Sequence, residues 1–326
     1  MTASRTDASP GHAPAPAPRL PWQVKYAALG LIWGSSFLLI MVGLRAFEPI
    51  QISTVRVLFG TGALLVLMRV AGSRLPRDPR VWWYLAVTGF FLGTLPFTLF
   101  AIAETRIPSA LAGIANSSTP LASVIFGLML LPDVRLDRVR LAAVLTGFGG
   151  VLLILQPWQV EQAPDLFGFG AALVGGASYG LGWTLVKRWL GDVPLRPFAL
   201  PTGQMLCAAV QLLVLLGLWW AIAGRSQGIE LPWSAHPHPD GPVWLSLVAI
   251  AALGLLGTGL AMAFQADVVR ATSPTVATTV TYLIPVVAVG LGVLVLGESL
   301  QPVELAGAGV VLASAVVISS PRRKLG

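Results

Sequence analysis

Long apolar runs alternate along this chain with short polar or proline-containing stretches. Ten such runs read as helices, at about 24–44, 51–71, 82–103, 108–131, 139–157, 167–187, 197–223, 243–266, 273–297 and 302–319. A helix of about 20 apolar residues crosses the roughly 30 Å hydrocarbon core of a bilayer, and most of these runs are that long. Nearly all charges fall between the runs. Composition agrees with the pattern: 55% of the 326 residues are apolar, 11% are charged, and mean hydropathy is +0.78. That excludes a soluble surface and predicts an all-α, polytopic membrane protein with ten transmembrane helices.

The ninth run, Thr272–Glu298, has a proline near its middle, Pro285. Polar Thr278, Thr279, Thr281 and Tyr282 precede it, and Gly290 and Gly292 follow. A proline removes one backbone hydrogen bond and loosens the helix there. The fourth run, Ile107–Asp133, matches it after a shift of 165 residues, which sets Pro120 on Pro285, Gly127 on Gly292 and Asp133 on Glu298. Pro49 with Arg56 and Pro197 with Gln204 form a second matched pair, each seven residues apart. Weak duplication of this kind marks carriers built from repeats. Residues 1–21, rich in Ala and Pro, are expected to form a disordered cytoplasmic tail. Residues 22–157 and 158–320 are expected to form two repeats of five helices each, followed by a basic cytoplasmic tail at 321–326. An odd number of crossings per repeat makes the halves inverted.

Placing the N-terminus in the cytoplasm puts seventeen Lys and Arg on that side, with only Arg45, Arg106 and Arg225 opposite. By the positive-inside rule both termini are therefore expected to be cytoplasmic. These cations are scattered over membrane-edge segments and form no stripe, so no nucleic acid is expected as a partner. The lone Cys207 precludes an intrachain disulfide. His236 and His238 lack a third ligand, so no metal is expected, and no Gly-rich phosphate loop is present. No cofactor is predicted.

Arg56 is the one cation set well inside a run. At that depth it faces a partner, a water-filled cavity, or the interface by snorkelling. Gln204 takes its place in the second half. Further polar or aromatic positions within runs are Trp33 and Ser36 in the first, and Asn116 in the fourth. Tyr179 and Trp183 lie in the sixth, Gln265 in the eighth, and Thr281 and Tyr282 in the ninth. Aromatic walls with a few polar groups suit a small-solute cavity, although each side chain alone also fits a packing or interfacial role. Pro120 and Pro285 are hinge candidates. The acidic residues sit at run ends, in loops or in the tail, with Glu104 and Asp267 nearest the membrane. No acid, base or nucleophile cluster suggests an enzyme.

The order and duplication of these features resemble the drug/metabolite transporter superfamily, in its group with two EamA domains. The matching residues are Trp33-Gly34-Ser35-Ser36-Phe37, Pro49 with Arg56, Pro120, Pro197 with Gln204, Ala266, Pro285 and Gly297-Glu298. One departure is Pro132-Asp133, where the family usually has Gly-Glu. The resemblance implies a ten-helix inner-membrane carrier, with partners limited to the bilayer and a small-molecule solute. Its cavity would lie between the repeats and open alternately to each side, and export of amino acids or related metabolites would be the typical activity. Multidrug, nucleotide-sugar and phosphorylated-metabolite carriage remain alternatives, as does a non-transporting scaffold. Substrate identity, coupling and assembly into a homodimer stay open.

Overall fold

The computed structural model of the chain describes residues 20–132, 134, 138–159, 165–287 and 301–319. Among the described residues the regular structure is entirely helical. Among the described residues, eight helices are long and apolar enough to span a bilayer: α1 Trp22–Leu44, α2 Pro49–Val70, α3 Pro79–Glu104, α4 Leu111–Leu130, α5 Arg138–Gln159, α6 Leu166–Leu190, α7 Ala199–Gly224 and α8 Val243–Ala271. Two shorter apolar helices follow, α9 Pro274–Val287 and α10 Pro302–Ile318. The chain is a polytopic membrane protein. Its outer faces carry large exposed aliphatic side chains such as Leu38, Val66, Ile222 and Val248. In lipid this is ordinary, because the surface packs against acyl chains.

Several ends differ from the sequence expectation. Helix α3 starts earlier, at Pro79, because Asp78 caps it by accepting from the Arg80 N–H at 2.8 Å. Helix α8 continues to Ala271, since its polar last turns still pack inward. The rest of the ninth run, with Gly290, Gly292, Gly297 and Glu298, lies outside the described residues. So do Asp133, Arg135 and both chain ends.

Both proline helices are interrupted where the sequence suggested. A proline ring clashes with the carbonyl four residues before it; here those carbonyls belong to Asn116 and Thr281. Helix α4 breaks at Ser117–Ser118, and α9 tightens to 3-10 geometry over Thr279–Tyr282. Hydroxyls take up the freed acceptors. Thr119 Oγ1 donates to the Asn116 carbonyl at 2.7 Å, and Ser117 Oγ to the Thr281 carbonyl at 3.4 Å. The two breaks therefore meet across the molecule.

The packing repeats itself between the halves. Helices α1 and α8 pack together, as do α6 and α3. Helices α2 and α7 face each other, and so do α5 and α10. A π-turn at Phe90–Thr94 follows Gly89 in α3, and another at Leu255–Leu260 follows Gly254 in α8. Gly89 abuts the Gln204 carbonyl, where a Cβ would lie 2.4 Å from its oxygen. Gly254 abuts the Arg56 carbonyl, where a Cβ would lie 2.7 Å away. The small-residue pairs act as packing faces. Gly30 and Gly34 seat Leu283 and Val287 of α9, and Gly176 and Gly180 seat α4 at Ala115 and Ala122.

Candidate functional site

A cavity lies where α1, α6, α8 and the two broken helices meet. Helix α1 contributes Trp33, Ser36, Phe37 and Ile40, and α2 contributes Arg56. Phe100 of α3 and Tyr179 and Trp183 of α6 form an aromatic wall. Asn116 and Thr119 come from α4, Gln265 from α8, and Thr278, Thr281 and Ile284 from α9. Eight of the ten expected cavity residues are therefore gathered in one place.

Arg56 is buried, with 5% relative exposure, and its side chain turns inward instead of running to the interface. Its Nε donates to Thr258 Oγ1 at 2.8 Å, and its second terminal nitrogen approaches the Gly257 carbonyl at 3.4 Å. The guanidinium carbon lies 3.7 Å from the Phe97 ring centre, a close cation–π arrangement. Trp33 Nε1 donates to the same Gly257 carbonyl at 3.0 Å. The π-turn of α8 thus supplies both oxygens that fix this corner. Among the described residues no carboxylate is paired with Arg56. Its charge is held by a hydroxyl, a carbonyl and a ring face, and part of its donor capacity is left over.

Two other lining groups complement it. Asn116 Oδ1 and Gln265 Oε1 are buried acceptors without a hydrogen-bond partner among the described residues. Gln265 is oriented through Nε2, which donates to the Ala277 carbonyl at 3.1 Å. A buried amide oxygen without a donor costs about 1–3 kcal/mol, so such groups in a cavity favour a solute that brings N–H groups. Thr119, Thr278 and Thr281 direct their hydroxyls at backbone carbonyls. The wall is ordered by ring contacts: Tyr179 and Phe100 stack at 6.2 Å and 17°, and Phe37 meets Phe100 edge-on at 5.8 Å.

Two expected residues do not line the cavity. Gln204 is the backbone counterpart of Arg56, but its side chain is too short to turn the corner. Its Nε2 donates to Thr88 Oγ1 of α3 at 3.0 Å. Tyr282 is one step past Thr281, about 120° round the axis of this 3-10 segment. It turns into α5, where its hydroxyl donates to the Val144 carbonyl at 2.9 Å and its ring fills the space over Gly147. Pro120 and Pro285 sit behind the cavity and shape its backbone. Conversely, Thr258, Gly257 and Phe97 were missed as partners of Arg56. Thr258 stands where the first half has Gly93, and that departure from the repeat was the available signal.

Comparison with known proteins decides the family. The sequence profile of the EamA-like transporter family matches twice, over residues 22–156 and 166–320. The chain belongs to the EamA-like transporter family. This EamA-like chain is 26% identical over 293 residues to the "Uncharacterized inner membrane transporter YedA" of Escherichia coli K12, covering 90% of the chain and 88% of that protein. It is 25% identical over 289 residues to the "Probable amino-acid metabolite efflux pump" of Salmonella typhimurium, covering 87% and 89%. A solved crystal structure shares the fold with a TM-score of 0.68 at 19% identity, over 91% of this chain and 95% of that one.

Proposed function

We propose that this EamA-like protein is an inner-membrane exporter of small zwitterionic metabolites such as amino acids. It works by alternating access between two inverted five-helix halves, with both termini in the cytoplasm. The observation that carries the substrate class is the cavity's polar lining. Arg56 is its one charged lining side chain among the described residues, and the free amide oxygens of Asn116 and Gln265 accompany it. A solute carboxylate pairs with the guanidinium, and an ammonium group donates to the amide oxygens. Nearby aromatic rings cover an apolar side chain. The name of the Salmonella typhimurium relative supports an efflux direction and an amino-acid class.

A multidrug carrier for cations fits less well, because a cation would meet Arg56 and no lining carboxylate. A nucleoside-diphosphate sugar, with its two phosphate charges, asks for more positive charge than one guanidinium. The test is flux into and out of vesicles that carry the purified protein. Labelled amino acids should exchange above protein-free vesicles, and cationic dyes and nucleotide sugars should not. Absence of amino-acid flux in the presence of dye flux would overturn the assignment.

A further inference from the structure

Two ion pairs each join the first helix of one half to the third helix of the other, with their charges reversed. Lys25, in the first turn of α1, pairs with Asp267 near the end of α8. Asp165, the N-cap residue of α6, pairs with Arg106 just past the end of α3 at 3.5 Å. Helices α1 and α6 begin the two halves, and α8 and α3 are the third helix of each. The resemblance extends to the rings. Lys25 Nζ lies 5.9 Å from the centre of Phe264, and the Arg106 guanidinium lies 5.0 Å from the centre of Phe167. Helix α1 begins on the face where α8 ends, and α3 ends on the face where α6 begins. If every helix crosses, the pairs lie on opposite faces of the membrane.

The helices so joined are also the ones that line the cavity. Trp33 lies eight residues, about 12 Å, beyond Lys25 on α1. Gln265 is two residues before Asp267, Phe100 six before Arg106, and Tyr179 fourteen after Asp165. Beside the Lys25–Asp267 pair opens a vestibule whose wall includes both of these residues together with Trp22, Phe198, Phe264 and Arg270. Gln265, two residues before Asp267, lines the central cavity. In this structure both pairs are formed.

We infer that Lys25–Asp267 and Arg106–Asp165 are the two gates of the carrier, and that each conformational change breaks one while the other holds. This rests on the carrier reading above. A pair at each face keeps either open state from being strongly favoured, which a reversible exchange between two open states requires.

The experiment measures gate position without any solute. Ile284, an apolar lining residue, is replaced by cysteine in a Cys207→Ser background, and a membrane-impermeant maleimide is applied to vesicles of each orientation. Lys25→Ala should raise labelling from the face that bears Lys25 by about fivefold and lower it from the other, the change expected for a partly shielded pair. Arg106→Ala should do the reverse, by about twofold, since that pair is more exposed. Exchanging the charges, Lys25→Asp with Asp267→Lys, should return labelling to the starting pattern. If Lys25→Ala fails to insert, Asp267→Asn breaks the same pair from its other end. Unchanged labelling, or shifts toward the same face in both variants, would reduce the pairs to interfacial staples. Unshifted labelling with amino-acid flux intact counts against the gates alone. Shifted labelling without flux counts against the carrier reading alone.

Discussion

The close approach of α8 to α2 at Gly254 gives a prediction with a magnitude. A Cβ there would lie 2.5 Å from Phe59 Cβ and 2.7 Å from the Arg56 carbonyl oxygen. Carbon contacts are comfortable only from about 3.5 Å, so Gly254→Ala forces the helices apart by roughly 1 Å. Overpacking of this kind costs about 1–3 kcal/mol, offset in part by the 0.5–1 kcal/mol that alanine gains over glycine in a helix. Net destabilisation of up to about 2.5 kcal/mol is expected, read as a lower melting temperature in detergent. The control is Gly62→Ala on α2, where a Cβ meets nothing within 4 Å and only the helix gain remains.

Function separates this site from its counterpart. A shift of α2 carries Arg56 off Thr258, 2.8 Å away, and tilts the guanidinium in the cavity. Solute affinity should fall about tenfold, which is 1.4 kcal/mol. Gly89→Ala displaces the Gln204 carbonyl by a similar clash, but Gln204 does not line the cavity. That variant should melt early and keep its KM. The two variants are compared by melting curves and by flux per folded carrier in vesicles. A Gly254→Ala protein with ordinary melting and ordinary KM would refute the reasoning.

Arg56→Ala should insert normally yet lose amino-acid flux by more than about a hundredfold, while Arg56→Lys, which keeps charge but not the fork or the ring contact, should retain part of it; equal flux in all three proteins would dismiss the carboxylate role. Tyr282→Phe removes one buried hydrogen bond and should cost about 1 kcal/mol of stability with KM unchanged, measured by melting and flux. For orientation, single cysteines replacing exposed Ala71 and Ser226 in a Cys207→Ser background should label from opposite faces, Ser226 from outside; outside labelling of both would overturn the cytoplasmic N-terminus.

The ten-run pattern, the two broken proline helices and most of the cavity were legible in the chain, because each follows from local rules. Apolar length fixes a span, and Pro120 and Pro285 fix where a helix must give way. A lone charge such as Arg56 must be turned inward or pulled to an edge. What lay beyond reach were side-chain directions one helical step apart. Thr281 and Tyr282 look alike in sequence, yet about 120° of rotation sends one to the cavity and the other to α5. The π-turns were invisible for a related reason. An extra residue in a helix leaves no mark in hydrophobic pattern, yet the turn after Gly254 is what brings Gly257 and Thr258 to Arg56. Ion pairs at helix ends were also missed, because partners 242 and 59 residues apart meet only through the fold.

The two halves agree in backbone and differ in side chains, and the division has a physical sense. Gly89 on the Gln204 carbonyl and Gly254 on the Arg56 carbonyl are the same contact made twice, each followed by a π-turn. Contacts that match in both halves contribute equally to the two ends of the molecule. On the proposed alternating access they cancel in the difference between an inward-open and an outward-open state, leaving a small gap that solute binding can tip. Binding has the opposite need. A small solute with one carboxylate is served by one guanidinium, and a second arginine at Gln204 would leave a buried charge uncompensated. The chain meets both needs by repeating its backbone and not its ligands. On that argument Gln204→Arg should disturb folding more than it helps transport, since Gln204 points at Thr88 within a buried helix seam.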